Sequence, residues 1–146
     1  MFKKILVPLD GFPLAESILP QVAALARQHS AELVVLRVAR AHNFPWADPT
    51  EAQVEVLREA EKYLGELEQR LKGQGLRVSS VVRYGDAAEE ILDHTNLSGV
   101  DLIAMSTHGR TGVSRWVLGS VAEKVLRHST HPLLLVRAPG VHPERP

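Results

Sequence analysis

VDLIAMSTHGRTGVSRWVLGSVAEKVLRH, residues 100–128, decides the architecture. Its first part, Val100 to Met105, is an apolar run of strand length, as a parallel strand covered on both faces requires. Its last part, Ser120 to His128, repeats Val121, Val125 and Leu126 at helical spacing. Between them lie about a dozen residues, where a strand-to-helix join commonly takes about 2–6. After the helix, Leu133-Leu134-Leu135-Val136 reads as another strand.

The same alternation runs back to the N-terminus. Ile5-Leu6-Val7 with Leu9 is a first strand, and Leu33-Val34-Val35-Leu36 with Val38 a second. Between them Leu14, Ile18, Val22 and Leu25 predict one helix from Pro13 to about His29. A longer helix is predicted from about Thr50, where Thr50 and Gln53 have capping-box spacing, to Gly73. Its apolar stripe is Val54, Leu57, Leu64, Leu67 and Leu71. Leu76 to Arg83 mixes valines with serines and arginines and reads as a strand less buried than the first two. Asp86 and Glu89 repeat the capping-box spacing ahead of a helix that Gly99 closes. Five strands alternating with four helices make an open, mostly parallel α/β sheet. One domain over 1–138, with a frayed tail over 139–146, is the expected organisation.

Composition narrows the function. Seventeen Lys and Arg balance seventeen Asp and Glu. A neutral chain argues against a binder held on nucleic acid by bulk charge and against a polybasic membrane anchor. No cysteine is present, which removes disulfides, thiolate zinc sites and cysteine nucleophiles together. Lys3 and Lys4 before Ile5-Leu6-Val7 imitate an export signal, but Asp10 ends the apolar run too early. No run approaches the roughly 20 apolar residues of a membrane span. A cytoplasmic protein is expected.

The long loops carry the first functional signal. One follows Val38 and the other follows Met105, so both extend the carboxyl edge of the sheet, where open α/β sheets bind ligands. The second brings Gly109, Arg110, Thr111, Gly112, Ser114 and Arg115 to a helix that begins at Gly119-Ser120. Glycines let backbone approach a ligand, and a helix start offers unpaired amides and a favourable dipole to an anion. Four or five such contacts support micromolar affinity, ~8 kcal/mol, for a large anion such as a triphosphate. Neither G-x-x-x-x-G-K-[ST] nor G-x-G-x-x-G occurs, and Gly112 to Trp116 lacks the last glycine of a nucleophile elbow.

At these residues the chain resembles the universal stress protein family. The resemblance spans Lys4 to Gly11, Gly85 to Ile91, Asp101 to Ser120 and His131 to Arg137. The family's G-x2-G-x9-G-[ST] signature is matched by Gly109 and, after nine residues, Gly119-Ser120, while Ser106 replaces its first glycine. The resemblance implies a Rossmann-like sheet of order 3-2-1-4-5, similar to the adenine nucleotide alpha hydrolases, with helices on both faces. It implies an ATP site in which Pro8, Leu9 and Asp10 lie near the adenosine and Val38 meets the adenine. Met105 and Ser106 would line the ribose side, with Gly109, Arg110, Gly119, Ser120 and Val121 around phosphates that carry Mg2+ or Mn2+. It also implies a homodimer joined through the 132–137 edge strand.

Two departures bear on that site. Ser106 would cost about 1 kcal/mol if its backbone needs positive φ, and otherwise adds a hydroxyl. Phe12 stands where members commonly have serine, so a helix cap is lost and an apolar lid gained. Asp10 reads as a turn residue or a site residue, and His108 as a phosphate or metal contact or a solvated loop residue. Phe44, Pro45 and Trp46 read as a cover for the base or as core anchors. His128 and His131 lack a visible third ligand, so no metal role is expected. Catalysis has little support, because no evident base is present to position water beyond Asp10, which the resemblance puts at the adenosine end. The expected function is a nucleotide-responsive stress-response module with at most slow ATP hydrolysis. A dimeric interaction protein of the same fold without nucleotide is the alternative, and a phosphohydrolase or nucleotidyl transferase the more distant one.

Overall fold

The computed structural model describes residues 1–40, 46, 48–108 and 118–137. Five strands, β1 (Lys4–Leu9), β2 (Glu32–Ala39), β3 (Arg77–Tyr84), β4 (Leu102–Ser106) and β5 (Leu133–Val136), form one sheet of order β3-β2-β1-β4-β5. All four pairings are parallel, with Leu9 beside Arg37, Leu6 beside Ile103, and Met105 beside Leu135. The expected fold and strand order are therefore observed. Strands β1 and β4 are neighbours although the chain left β1 toward β2, so the winding reverses direction between them.

Side chains alternate between two cores. Ile5, Val7, Leu33 and Val35 pack with residues of α1 (Pro13–Glu16), α2 (Leu19–His29) and α3 (Pro49–Gly73). Leu6, Val34, Leu36 and Ile103 pack on the other face with α4 (Ala87–Leu97) and α5 (Ser120–His128). A strand covered on both sides has no use for polar alternation, which is why β1, β2 and β4 read as unbroken apolar runs. Strand β3, at the edge, is half-buried along most of its length, as its mixed composition predicts.

Three local expectations are corrected. The single helix over 13–29 is two, because Pro20 has no N–H to give the Glu16 carbonyl and its ring crowds that carbonyl. The Ser17 N–H and hydroxyl both turn back to Leu14 O instead. The long helix is capped by Asp48, whose carboxylate accepts from Thr50 N at 2.9 Å with Pro49 in the first turn. Thr50 and Gln53 thus form no capping box, and Val54, placed on the apolar stripe, is 48% exposed. That helix ends at Gly73, but the left-handed turn beyond it belongs to Gly75, at φ +83°. The Asp86 cap of α4 is present, accepting from Glu89 N at 3.1 Å. Residues 139–146, read as a frayed tail, lie outside the described residues.

Candidate functional site

The carboxyl ends of β1, β2 and β4 open into one cleft of about 740 Å³. Among the described residues its walls come from the β1–α1 turn, the end of β2, α3, the starts of α4 and α5, and the chain leaving β4. A second hollow of about 410 Å³ lies between α2 and α3, flanked by the Arg70–Glu16 ion pair and away from the strand ends. Only the first has the position that the reversal of winding creates.

Pro8, Leu9, Asp10, Val38, Met105, Ser106, Gly119, Ser120 and Val121 all line this cleft. Gly109 and Arg110 lie outside the described residues. Asp10 holds its own turn: its carboxylate accepts from Phe12 N at 3.0 Å, while Gly11 takes φ +87°. It is a turn residue and a wall residue at once. Phe12 precedes α1 with no side-chain cap and stands 42% exposed in the cleft wall.

Ser106 ends β4, and Ser30 alone among the described non-glycine residues has positive φ. The replacement of glycine here therefore carries no backbone strain. The Ser106 hydroxyl accepts from His108 N at 3.4 Å, a weak contact that steadies the chain as it leaves the strand. Thr107 N donates to Val136 O at 2.9 Å and Gly119 N to Thr107 O at 2.8 Å, fastening the two ends of the loop together.

That second bond removes Gly119 from the amides available to a ligand. Helix α5 has no side-chain cap, and its first internal bond runs from Glu123 N to Gly119 O. The N–H groups of Ser120, Val121 and Ala122, all on cleft residues, are left with no acceptor among the described residues. Their dipoles add to that of the helix.

His108 is the residue whose environment the sequence hid. A histidine in a glycine-rich loop usually meets water, yet this one is 3% exposed. Its Nδ1 is 2.8 Å from the Thr107 hydroxyl, and its Nε2 is buried without a partner among the described residues. Leaving such a group unmatched costs about 1–3 kcal/mol. Only its place beside glycines signalled it.

The opposite wall holds Arg37. Its guanidinium lies 5.2 Å from the centre of the Tyr63 ring and beneath Gly11. Tyr63 donates to Glu16 at 2.7 Å. Burial first, then that bond and the charge of Glu16, hold its hydroxyl far above the usual phenol range. Arg40 reaches Asp86 at a loose 3.9 Å. Trp46 is 82% exposed and is not a core anchor; Phe44 and Pro45 lie outside the described residues. Among the described residues no three His, Asp or Glu side chains group as a metal site. No described helix is long and apolar enough to cross a membrane.

Fold and cleft together define a doubly wound α/β protein with an open cleft at the switch point of its sheet. The profile of the universal stress protein family matches residues 1–137, and the chain belongs to that family. It is 32% identical over 148 residues to universal stress protein YxiE of Bacillus subtilis, spanning 94% of this chain and all of that one. The solved structure of MJ0577, a universal stress protein of Methanocaldococcus jannaschii, superposes with a TM-score of 0.79 at 30% identity, covering 96% of this chain and 99% of that one. An Arabidopsis thaliana family protein solved with AMP bound shares the fold at 13% identity, with a TM-score of 0.69 over 94% of this chain and 93% of its own.

Proposed function

We propose that this chain binds an adenine nucleotide, ATP foremost, in the cleft over β1 and β4, and works as a cytoplasmic nucleotide-responsive module. The observation that carries this reading is the set of N–H groups opening α5 inside the cleft that have no acceptor among the described residues. Donors of that kind, without a carboxylate among Ser106, Thr107, His108 and Gly119 to Val121, favour a large anion. The apolar wall residues Leu9 and Val38 suit a flat base, with Met105 toward the ribose. Asp10 stands where it can accept from ribose hydroxyls. Gly109 and Arg110 belong to the same phosphate site in this reading, and Mg2+ or Mn2+ is carried by the phosphates. The AMP-bound relative agrees with an adenine ligand.

Hydrolysis is at most slow. Asp10 and Glu59 are the carboxylates among the described cleft residues, this reading puts Asp10 at the adenosine end, and in-line attack needs a group that orients water at the γ-phosphate. Nucleotide binding then changes the surface offered to a partner rather than driving turnover. The functional unit is a homodimer joined along the β5 edge.

Acid precipitation of the purified protein, followed by chromatography of the supernatant, tests the reading. Co-purified ATP, or a melting shift in millimolar Mg-ATP, is expected. The absence of both, from a folded protein, defeats it and leaves the nucleotide-free dimeric interaction protein.

A further inference from the structure

Thr107 and His108 form a buried pair whose proton can be placed by counting. Thr107 is 5% exposed, and the one partner of its hydroxyl among the described residues is His108 Nδ1. If Nδ1 carried the proton and donated to the hydroxyl, the hydroxyl's own hydrogen would have no acceptor and Nε2 no donor. Two buried groups would then be unsatisfied. If the hydroxyl donates to Nδ1, it is satisfied, Nδ1 is satisfied, and the proton sits on Nε2. One group is left over, and it is a donor. Buried donors in native proteins are almost always paired, so a leftover one implies an acceptor that the described residues do not provide.

The ring lines the same cleft as the unpaired α5 amides, and the Gly119 N to Thr107 O bond holds its neighbour against that helix start. The two features are independent: one is a helix end, the other a side chain fixed by a hydroxyl. Both offer N–H and neither offers an acceptor.

We propose that His108 is a ligand-binding residue, its neutral Nε2–H donating to a phosphate oxygen held at the same time by the first-turn amides of α5. Thr107 is its positioning residue, fixing the tautomer through Nδ1. The ligand group is a phosphoryl or polyphosphoryl oxygen, since only an acceptor without a donor of its own suits every group there. This rests on the nucleotide reading for the ligand's adenosine part, but not for its anionic part.

Calorimetric titration of wild type, His108→Gln, His108→Phe and Thr107→Val with ATP, adenosine and inorganic triphosphate separates the possibilities. Glutamine keeps an N–H near the position of Nε2, whereas phenylalanine keeps the ring and removes the donor. The expected result is a loss of about tenfold or more in ATP and triphosphate affinity for His108→Phe. Adenosine binding should be unchanged, and His108→Gln should lie within a few-fold of wild type. Thr107→Val should lose less than His108→Phe. In 15N-histidine spectra of the free protein, the resonance pair missing from His108→Gln should show its proton on Nε2 and move when triphosphate is added.

Equal losses for adenosine and ATP would make His108 merely structural and overturn the proposal. So would unchanged ATP affinity in His108→Phe, or a proton found on Nδ1. Wild type that binds triphosphate through His108 but neither ATP nor adenosine would uphold the anion contact and reject the nucleotide. Wild type that binds none of the three rejects both.

Discussion

Gly11 shows how a single position ties a turn to the cleft wall. Its φ of +87° is left-handed, and a Cβ built there would fall 2.7 Å from Arg37 Nη1. The clash involves the tip of a flexible side chain, so most of the cost of Gly11→Ala is the backbone's, about 1–2 kcal/mol by urea denaturation. The same substitution in an Arg37→Ala background should cost nearly as much, because removing the guanidinium relieves only the contact; a cost that vanishes there would show that the clash dominates. At Ser106 the opposite holds. The serine is extended and donates nothing to strain, so restoring the signature glycine should destabilise by about 0.5–1 kcal/mol rather than relieve anything. A melting temperature raised by Ser106→Gly would contradict this. Asp10 and Gly119 are legible as wall residues because each sits at the end of a readable element, whereas Met105 is reached only through the family resemblance. It did not reveal that His108 is buried, because that depends on what Thr107 bonds and on how the loop ends are fastened, which are tertiary facts.

Element boundaries were legible where the chain stops itself locally. Helix α5 starts after Gly119 and β5 follows Pro132, both as the sequence predicts. Periodicity does not separate α1 from α2, because four apolar positions at helical spacing run through both, whereas in the folded chain the one N–H missing at Pro20 is enough. The α3 cap was misplaced for a related reason: Thr50 and Gln53 offer a pattern, but Asp48 comes before Pro49, and a proline takes the first helical position most readily with a carboxylate just ahead of it. The correction is measurable. Asp48→Ala should cost about 1 kcal/mol of stability, whereas Thr50→Ala, which keeps the backbone N–H that Asp48 binds, should stay within about 0.5 kcal/mol. Denaturation midpoints of the two variants decide between the caps; the reverse ranking would reinstate Thr50.

At the scale of the molecule, distant elements meet at charged groups and at the sheet's open edge. His94 on α4 is half-buried between the charges of Arg83 on β3 and Lys4 on β1, and burial first, then those cations, lower its pKa below 6.5. The unfolded chain therefore binds a proton that the folded one refuses, so stability falls as pH drops through and below about 6.5. His94→Gln should melt with a shallower pH dependence between pH 7 and 5 than wild type, and an equal slope would remove His94 as the cause. The edge is the larger matter. In β5 the half-buried side chains of Leu134 and Val136 pack against one core and those of Leu133 and Leu135 against the other. The edge offers its backbone for pairing. The carbonyls of Pro132 and Val136 face β4, accepting from Ile103 N and Thr107 N at 3.0 and 2.9 Å. With a period of two, the polar groups of Leu133 and Leu135 then face outward, unpaired by the sheet. A second copy pairing antiparallel across a two-fold axis satisfies those groups on both chains at once. Leu135→Pro deletes an outward N–H and keeps every bond toward β4, so it should shift a sedimenting dimer to monomer at micromolar concentration while the far-ultraviolet dichroism stays that of the folded chain. Wild type sedimenting as a monomer under the same conditions would show that the β5 edge is covered in some other way.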